Sequence, residues 1–132
     1  MSQENVEIVR RAYDAFNRGA WDAAFENVAS HAEWETDARL PNAGTYRGRI
    51  EIQRLFEDQA TAFDESVTEL ERLLLKGDQI VALVKLRRRP TGSTAAIEAE
   101  IAHLWTFEGG QVVRIQAFAR REEALEAAGL SE

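Results

Sequence analysis

Apolar positions recur at three- to four-residue spacing in the first half of the chain and at two-residue spacing in the second. Val6, Val9, Tyr13 and Phe16 form one stripe of an amphipathic helix that Ser2 can cap. Gly19 ends that helix, since glycine enters the left-handed conformation without steric cost. A second short helix is predicted over 21–28, with Trp21, Ala24, Phe25 and Val28 on one side. The alternation in A-E-W-E-T predicts a strand over 32–36, and Pro41, Asn42, Gly44 and Gly48 mark 37–48 as a loop. Ile52, Leu55, Phe56 and Gln59 predict a third helix over 49–62. Period-two strands follow over 66–76, 79–89, 95–107 and 111–121, separated by Gly77-Asp78, Pro90 to Ser93 and Gly109-Gly110. A short helix over 122–128, stopped by Gly129, closes the chain.

Helices first and consecutive hairpin strands afterwards predict an α+β fold, with helices packed on one face of a mostly antiparallel sheet. No Pro/Ser-rich linker, repeat or low-complexity tract divides residues 1–132, so one domain is expected. Composition narrows the chemistry. The 132 residues contain no cysteine, which excludes a thiol nucleophile, a disulfide and a Cys-based zinc site. Sixteen basic against 23 acidic residues give a net charge of −7, the wrong sign for nucleic-acid binding. Charges at Glu4, Glu7, Arg10 and Arg11 interrupt any secretory core, and no apolar run is long enough to span a membrane. A cytoplasmic location without membrane association is the expectation.

The blocks V-x-I-V-R-R-A-Y-D-A-F-N-R-G (6–19), W-D-A-A-F (21–25), A-E-W (32–34), G-T-Y-R-G-R (44–49), A-H-L-W-T-F-E-G-G-Q-V-V-R (102–114) and R-E-E-A-L-E-A-A-G-L (121–130) are spread over the whole chain. In this order they resemble the NTF2-like superfamily, and within it the SnoaL-like group near the polyketide cyclases and ketosteroid isomerases. The resemblance implies a conical fold: a strongly curved sheet wrapped round the first helix, enclosing a largely apolar pocket. It also implies a homodimer through the outer face of the sheet. The superfamily hosts enzymes, binding proteins and transport factors on one scaffold, so function must come from the site.

His103 leads the candidate residues. Alternation along 95–107 puts Ile97, Ala99, Ile101, His103, Trp105 and Phe107 on one face, opposite Glu98, Glu100, Ala102, Leu104 and Thr106. A single histidine in an apolar row is either a proton-transferring or hydrogen-bonding pocket group, or a core histidine tied to a backbone carbonyl. The resemblance aligns His103 with the oxyanion-hole aspartic acid of the ketosteroid isomerases. Their helix-1 tyrosine aligns with Ala12 and their general-base aspartate with Thr36, so that family's chemistry is not expected here. Tyr13 lies about 100° further round the helix than Ala12 and does not simply substitute.

His31, Glu33, Glu35 and Asp37 alternate and would share one strand face. That row is either a hard-metal or carboxylate site, or the solvent side of a charged edge strand, and the second reading is preferred, so no metal is expected. Asp37, where strand becomes loop, is either a general base at the pocket mouth or a turn-forming residue. Tyr46 either donates to a ligand at that mouth or anchors the third helix. Tyr13, Phe16, Trp34, Phe56 and Trp105 are expected pocket-lining or core residues. In R-R-R at 87–89, Arg88 points opposite to Arg87 and Arg89; if it turns inward with Leu86 and Val84, it can clamp a carboxylate.

Two functions follow. One is a cofactor-independent isomerase, cyclase or hydrolase acting on an apolar cyclic or aromatic molecule, with His103 as acid/base or donor and Asp37 or Tyr46 assisting. The other is a non-catalytic pocket protein or accessory dimer.

Overall fold

The first helix, α1 (Ser2–Arg18), runs to a glycine that turns the chain back on itself. Gly19 has φ +70° and its N–H donates to Phe16 O, while the N–H of Ala20 donates to Ala15 O. That pair of bonds satisfies the last carbonyls of the helix. The computed structural model describes residues 2–130, without the side chain of Ser2, so the capping read there lies outside the described residues.

Helix α2 is shorter than the pattern implies, Trp21–Ala24. The apolar residues after it belong to β1 (Val28–Thr36), which begins four residues before the expected strand. Val28 and Ala29 are buried because this stretch pairs parallel with the last strand, Val28 opposite Val112. The expected loop also contains a strand, β2 (Gly44–Arg47), antiparallel to β1 with Trp34 opposite Tyr46. At Gly48 (φ +88°) the chain leaves β2 and enters α3 (Arg49–Thr61); a side chain there would be strained. The four long strands lie within three residues of the expected bounds, β3 (Phe63–Lys76), β4 (Gln79–Pro90), β5 (Ile97–Glu108) and β6 (Gln111–Phe118), with β3 starting earlier and β6 stopping short of 119–121. Helix α4 (Arg121–Ala127) follows.

The fold is α+β. Six strands form one curved, open sheet in the order β2-β1-β6-β5-β4-β3, with β1 and β6 the single parallel pair. β1 is therefore an interior strand, not the edge strand expected from its charged row. The exposed edge at β3 is partly occupied by a side chain: Asn17 at the end of α1 exchanges two hydrogen bonds with the backbone of Thr68, at 2.9 and 2.8 Å. The pairing ties helix to strand and covers ladder groups that would otherwise be free.

The sheet buries both faces, unequally. The concave face (Trp34, Ile80, Ala82, Val84, Ile101, Trp105 and Ile115) packs with Val9, Tyr13 and Phe25 of the N-terminal segment and Ile52 of α3 in the main core. The convex face packs Val81, Leu83, Ala102 and Leu104 against Ala124, Leu125 and Ala128. Arg121 fastens that contact by donating to the backbone oxygens of Ile101 and Val84. Part of the outer face named above for dimerisation is thus covered by the chain's own α4. Among the described residues no helix is long and apolar enough to cross a membrane.

Candidate functional site

Between the concave face, α1, α3 and the β1–β2 loop lies a cavity of about 320 Å³. A ring cluster forms its apolar wall: Phe16 and Phe56 stack at 5.1 Å between centroids, and Trp34 meets Phe56 edge-on at 4.8 Å. Thr36, Gln59, Ser66 and Thr68 add short polar groups, and Leu40 and Pro41 reach in from the loop. Among the described residues the lining contains no aspartate or glutamate.

His103 stands on that wall, only 7% exposed, with Trp34 edge-on to its ring at 5.5 Å. Its partner is the hydroxyl of Tyr13, 2.7 Å from Nδ1. The same hydroxyl accepts from Trp105 Nε1–H at 3.0 Å. An indole N–H only donates, so the phenol oxygen receives it and must place its own hydrogen elsewhere. Nδ1 of His103 is the one acceptor the structure gives it. The chain of bonds therefore runs Trp105 to Tyr13 to His103, and it assigns the neutral tautomer with hydrogen on Nε2. That Nε2–H has no partner among the described residues.

The electrostatics agree. Burial, helped by the positive charge of Arg88, pushes the His103 imidazole down to about 3, so it is neutral at physiological pH. Burial pushes the Tyr13 phenol up, despite the opposing bond from Trp105, and keeps it protonated. A neutral imidazole carries a single N–H to donate.

Arg88 turns inward, as the alternation of β4 requires, and lines the same cavity. Its guanidinium carbon lies 5.5 Å from the centre of the Phe63 ring.

Of the residues singled out from sequence, Tyr13, Phe16, Trp34, Phe56, Arg88 and His103 line this cavity and three do not. Trp105 is buried behind Tyr13, where it serves the hydrogen-bond chain. Tyr46 donates to the backbone oxygen of Asn42 at 2.8 Å, pinning the loop. Asp37 is engaged in a turn: it accepts from Arg39 at 2.7 and 3.0 Å, from the Arg39 backbone N–H at 3.0 Å and from the Ala119 N–H at 3.0 Å. Arg39 holds its carboxyl well below the usual range and also bonds Glu123. A carboxylate so occupied is a poor base, and the turn-forming reading of Asp37 is the one its geometry fits. The other acidic groups of that row are also paired, Glu33 with Arg47 and Glu35 with Arg114, and His31 is exposed.

Periodicity put Tyr13 on the apolar stripe, but sequence reasoning missed that its hydroxyl reaches His103. It also missed Gln59, Ser66 and Thr68 as lining residues: Gln59 stood on the stripe of the third helix without being singled out, and Ser66 and Thr68 carried no signal, since short polar residues beside apolar ones usually face water.

Comparison with known proteins places the geometry in context. The model of the SnoaL-like domain matches residues 9–115. None of the curated proteins compared matches the chain. Among solved structures, an NTF2-like protein of unknown function from Burkholderia pseudomallei superimposes with a TM-score of 0.80 at 21% identity, over 95% of this chain and 97% of that one. TerC, co-crystallised with polyporic acid, gives 0.79 at 16% identity, over 95% and 97%. A putative SnoaL-like polyketide cyclase from Jannaschia sp. gives 0.74 at 19% identity, over 88% and 85%. At these identities the likeness shows the fold.

Proposed function

This chain belongs to the SnoaL-like domain family, and on that premise we propose that it is a small-molecule pocket protein. Its ligand is an apolar cyclic or aromatic molecule with an oxygen that accepts a hydrogen bond from His103. One observation carries this reading: a neutral Nε2–H, oriented through Tyr13 and Trp105, sits unpartnered on the wall of an apolar cavity. The donor borders open cavity space, and a ligand oxygen entering there would supply its acceptor. The aromatic wall supplies contact area for a ring system.

The test uses 1-tetralone, a bicyclic ketone, followed through tryptophan fluorescence, since Trp21 and Trp34 line the cavity. Saturable binding, weakened about tenfold by His103→Phe, is expected. No saturable binding, or affinity indifferent to residue 103, overturns the reading.

A second reading, a cofactor-independent isomerase, cyclase or hydrolase, draws on the same donor. A preoriented N–H on a largely apolar wall stabilises an oxyanion forming on a substrate carbonyl. Because no carboxylate lines the cavity, proton removal from carbon has no aspartate or glutamate to perform it. Turnover of a bound ring ketone, abolished in His103→Phe, would establish this reading over simple binding. The homodimer implied by family resemblance would use the outer sheet face left free by α4; a monomeric mass in solution counts against it.

A further inference from the structure

We infer that the ligand carries a negative group, a carboxylate on its ring system, held by the guanidinium of Arg88. The inference rests on the pocket reading above and names the chemical class of molecule the pocket takes.

Three successive residues of β4 make the case. Arg87 pairs with Glu98 at 2.8 Å and Glu65 at 3.6 Å, and Arg89 with Asp64 at 3.3 Å. Arg88, between them, has no ion pair and no hydrogen bond among the described residues, and its Nε is buried without a partner. It meets only the face of Phe63, which attracts a cation weakly and accepts no N–H in the guanidinium plane. Burial lowers its pKa, yet a guanidinium stays charged in proteins. A partly buried cation is best satisfied by an anion or several acceptors, and the described residues supply neither.

The second observation concerns the cavity as a whole. The protein carries a net charge of −7, yet two arginines, Arg18 and Arg88, line this cavity with no acidic residue opposing them there. Arg18 already bonds Asp14 at 3.0 Å, so Arg88 is the free positive charge. Its planar fork matches the two oxygens of a carboxylate. Phe63, against its face, and Ser66, opposite it on β3, fix where that group would lie.

The test compares two probes of one shape, 2-naphthoate and its neutral isostere 2-naphthamide, by calorimetry at low and moderate salt. The wild-type protein is expected to bind naphthoate about tenfold or more tightly than naphthamide. Arg88→Met and Arg88→Gln are expected to abolish that preference while naphthamide binding persists. Equal affinity of the wild type for both probes, or a preference that survives in either variant, overturns the charge assignment and leaves the pocket reading standing. Failure of both probes to bind overturns both. The wild-type comparison needs no variant, so a substitution that fails to fold leaves the test intact.

Discussion

The two faces of β4 treat the same side chain in opposite ways. On the convex face Arg87 and Arg89 sit in a web of carboxylates, half-exposed, each with ion-pair partners. On the concave face Arg88 lines the cavity beside Phe63 and has no ion pair or hydrogen bond among the described residues. The contrast extends across the sheet. Outside, Glu33, Glu35 and Asp37 are each matched to an arginine. Inside, His103 offers an N–H and Arg88 a cation, both without acceptors. The outer charges are conspicuous in the sequence and explain themselves; the inner ones are few and do not. On the proposed reading the site is marked by polar groups without a protein partner among the described residues, not by density of charge.

The comparison breaks most readily at Tyr13. Tyr13→Phe removes the acceptor of Trp105 Nε1–H and the donor to His103 Nδ1, leaving two buried groups unpaired. A loss of roughly 2–4 kcal/mol in denaturant unfolding is expected, with the His103 pH response altered as well. A loss no larger than that of a surface substitution would show that the chain of bonds does not exist.

The next effect is in pH. The folded imidazole of His103 lies near 3 against 6.5 in the unfolded chain, so between these values the unfolded state binds the extra proton. Its contribution to stability is fully present above the unfolded value and is lost as pH falls through that window. Relative to His103→Gln, which keeps an acceptor for Tyr13 but does not titrate, the wild type should lose up to about 1.4 kcal/mol per pH unit between about pH 6 and 4. Parallel pH profiles would contradict the burial of a neutral ring.

Arg88→Met should stabilise the ligand-free protein, by about 1–2 kcal/mol, because it removes an unpaired cation from apolar surroundings. Destabilisation by that amount would mean that Arg88 is satisfied after all. Smallest is the outer control: Arg87→Gln should cost roughly 0–1 kcal/mol, since its pairs are exposed, and leave naphthoate affinity unchanged.

Much of the fold was legible because two periods separate so cleanly along the chain. The four long strands and three glycine- or proline-bearing turns follow from alternation alone. The start of β1 was not, because Val28 and Ala29 continue the apolar spacing of the preceding helix; parallel pairing with β6, more than 80 residues away, decides their conformation. β2 was hidden because only Tyr46 of its four residues is even partly buried. In the candidate site, the strand pattern set the face on which His103 stands and made the direction of Arg88 a clear alternative. The reach of Tyr13 depends on how α1 crosses the sheet, which no local spacing encodes. Trp105 shares the row of His103, but that row passes beneath Tyr13, so one residue faces the cavity and the other supports it. Asp37 was left between two readings because a strand end near a mouth and a strand end in a turn have the same sequence signature.

The most direct test of the account is nitrogen NMR of the His103 ring, with exposed His31, the only other histidine, as internal reference. The account predicts hydrogen on Nε2 and a bare Nδ1, unchanged from about pH 8 to pH 5, while free imidazole titrates near 6.5. Hydrogen on Nδ1, or titration of His103 near that ordinary value, would contradict it.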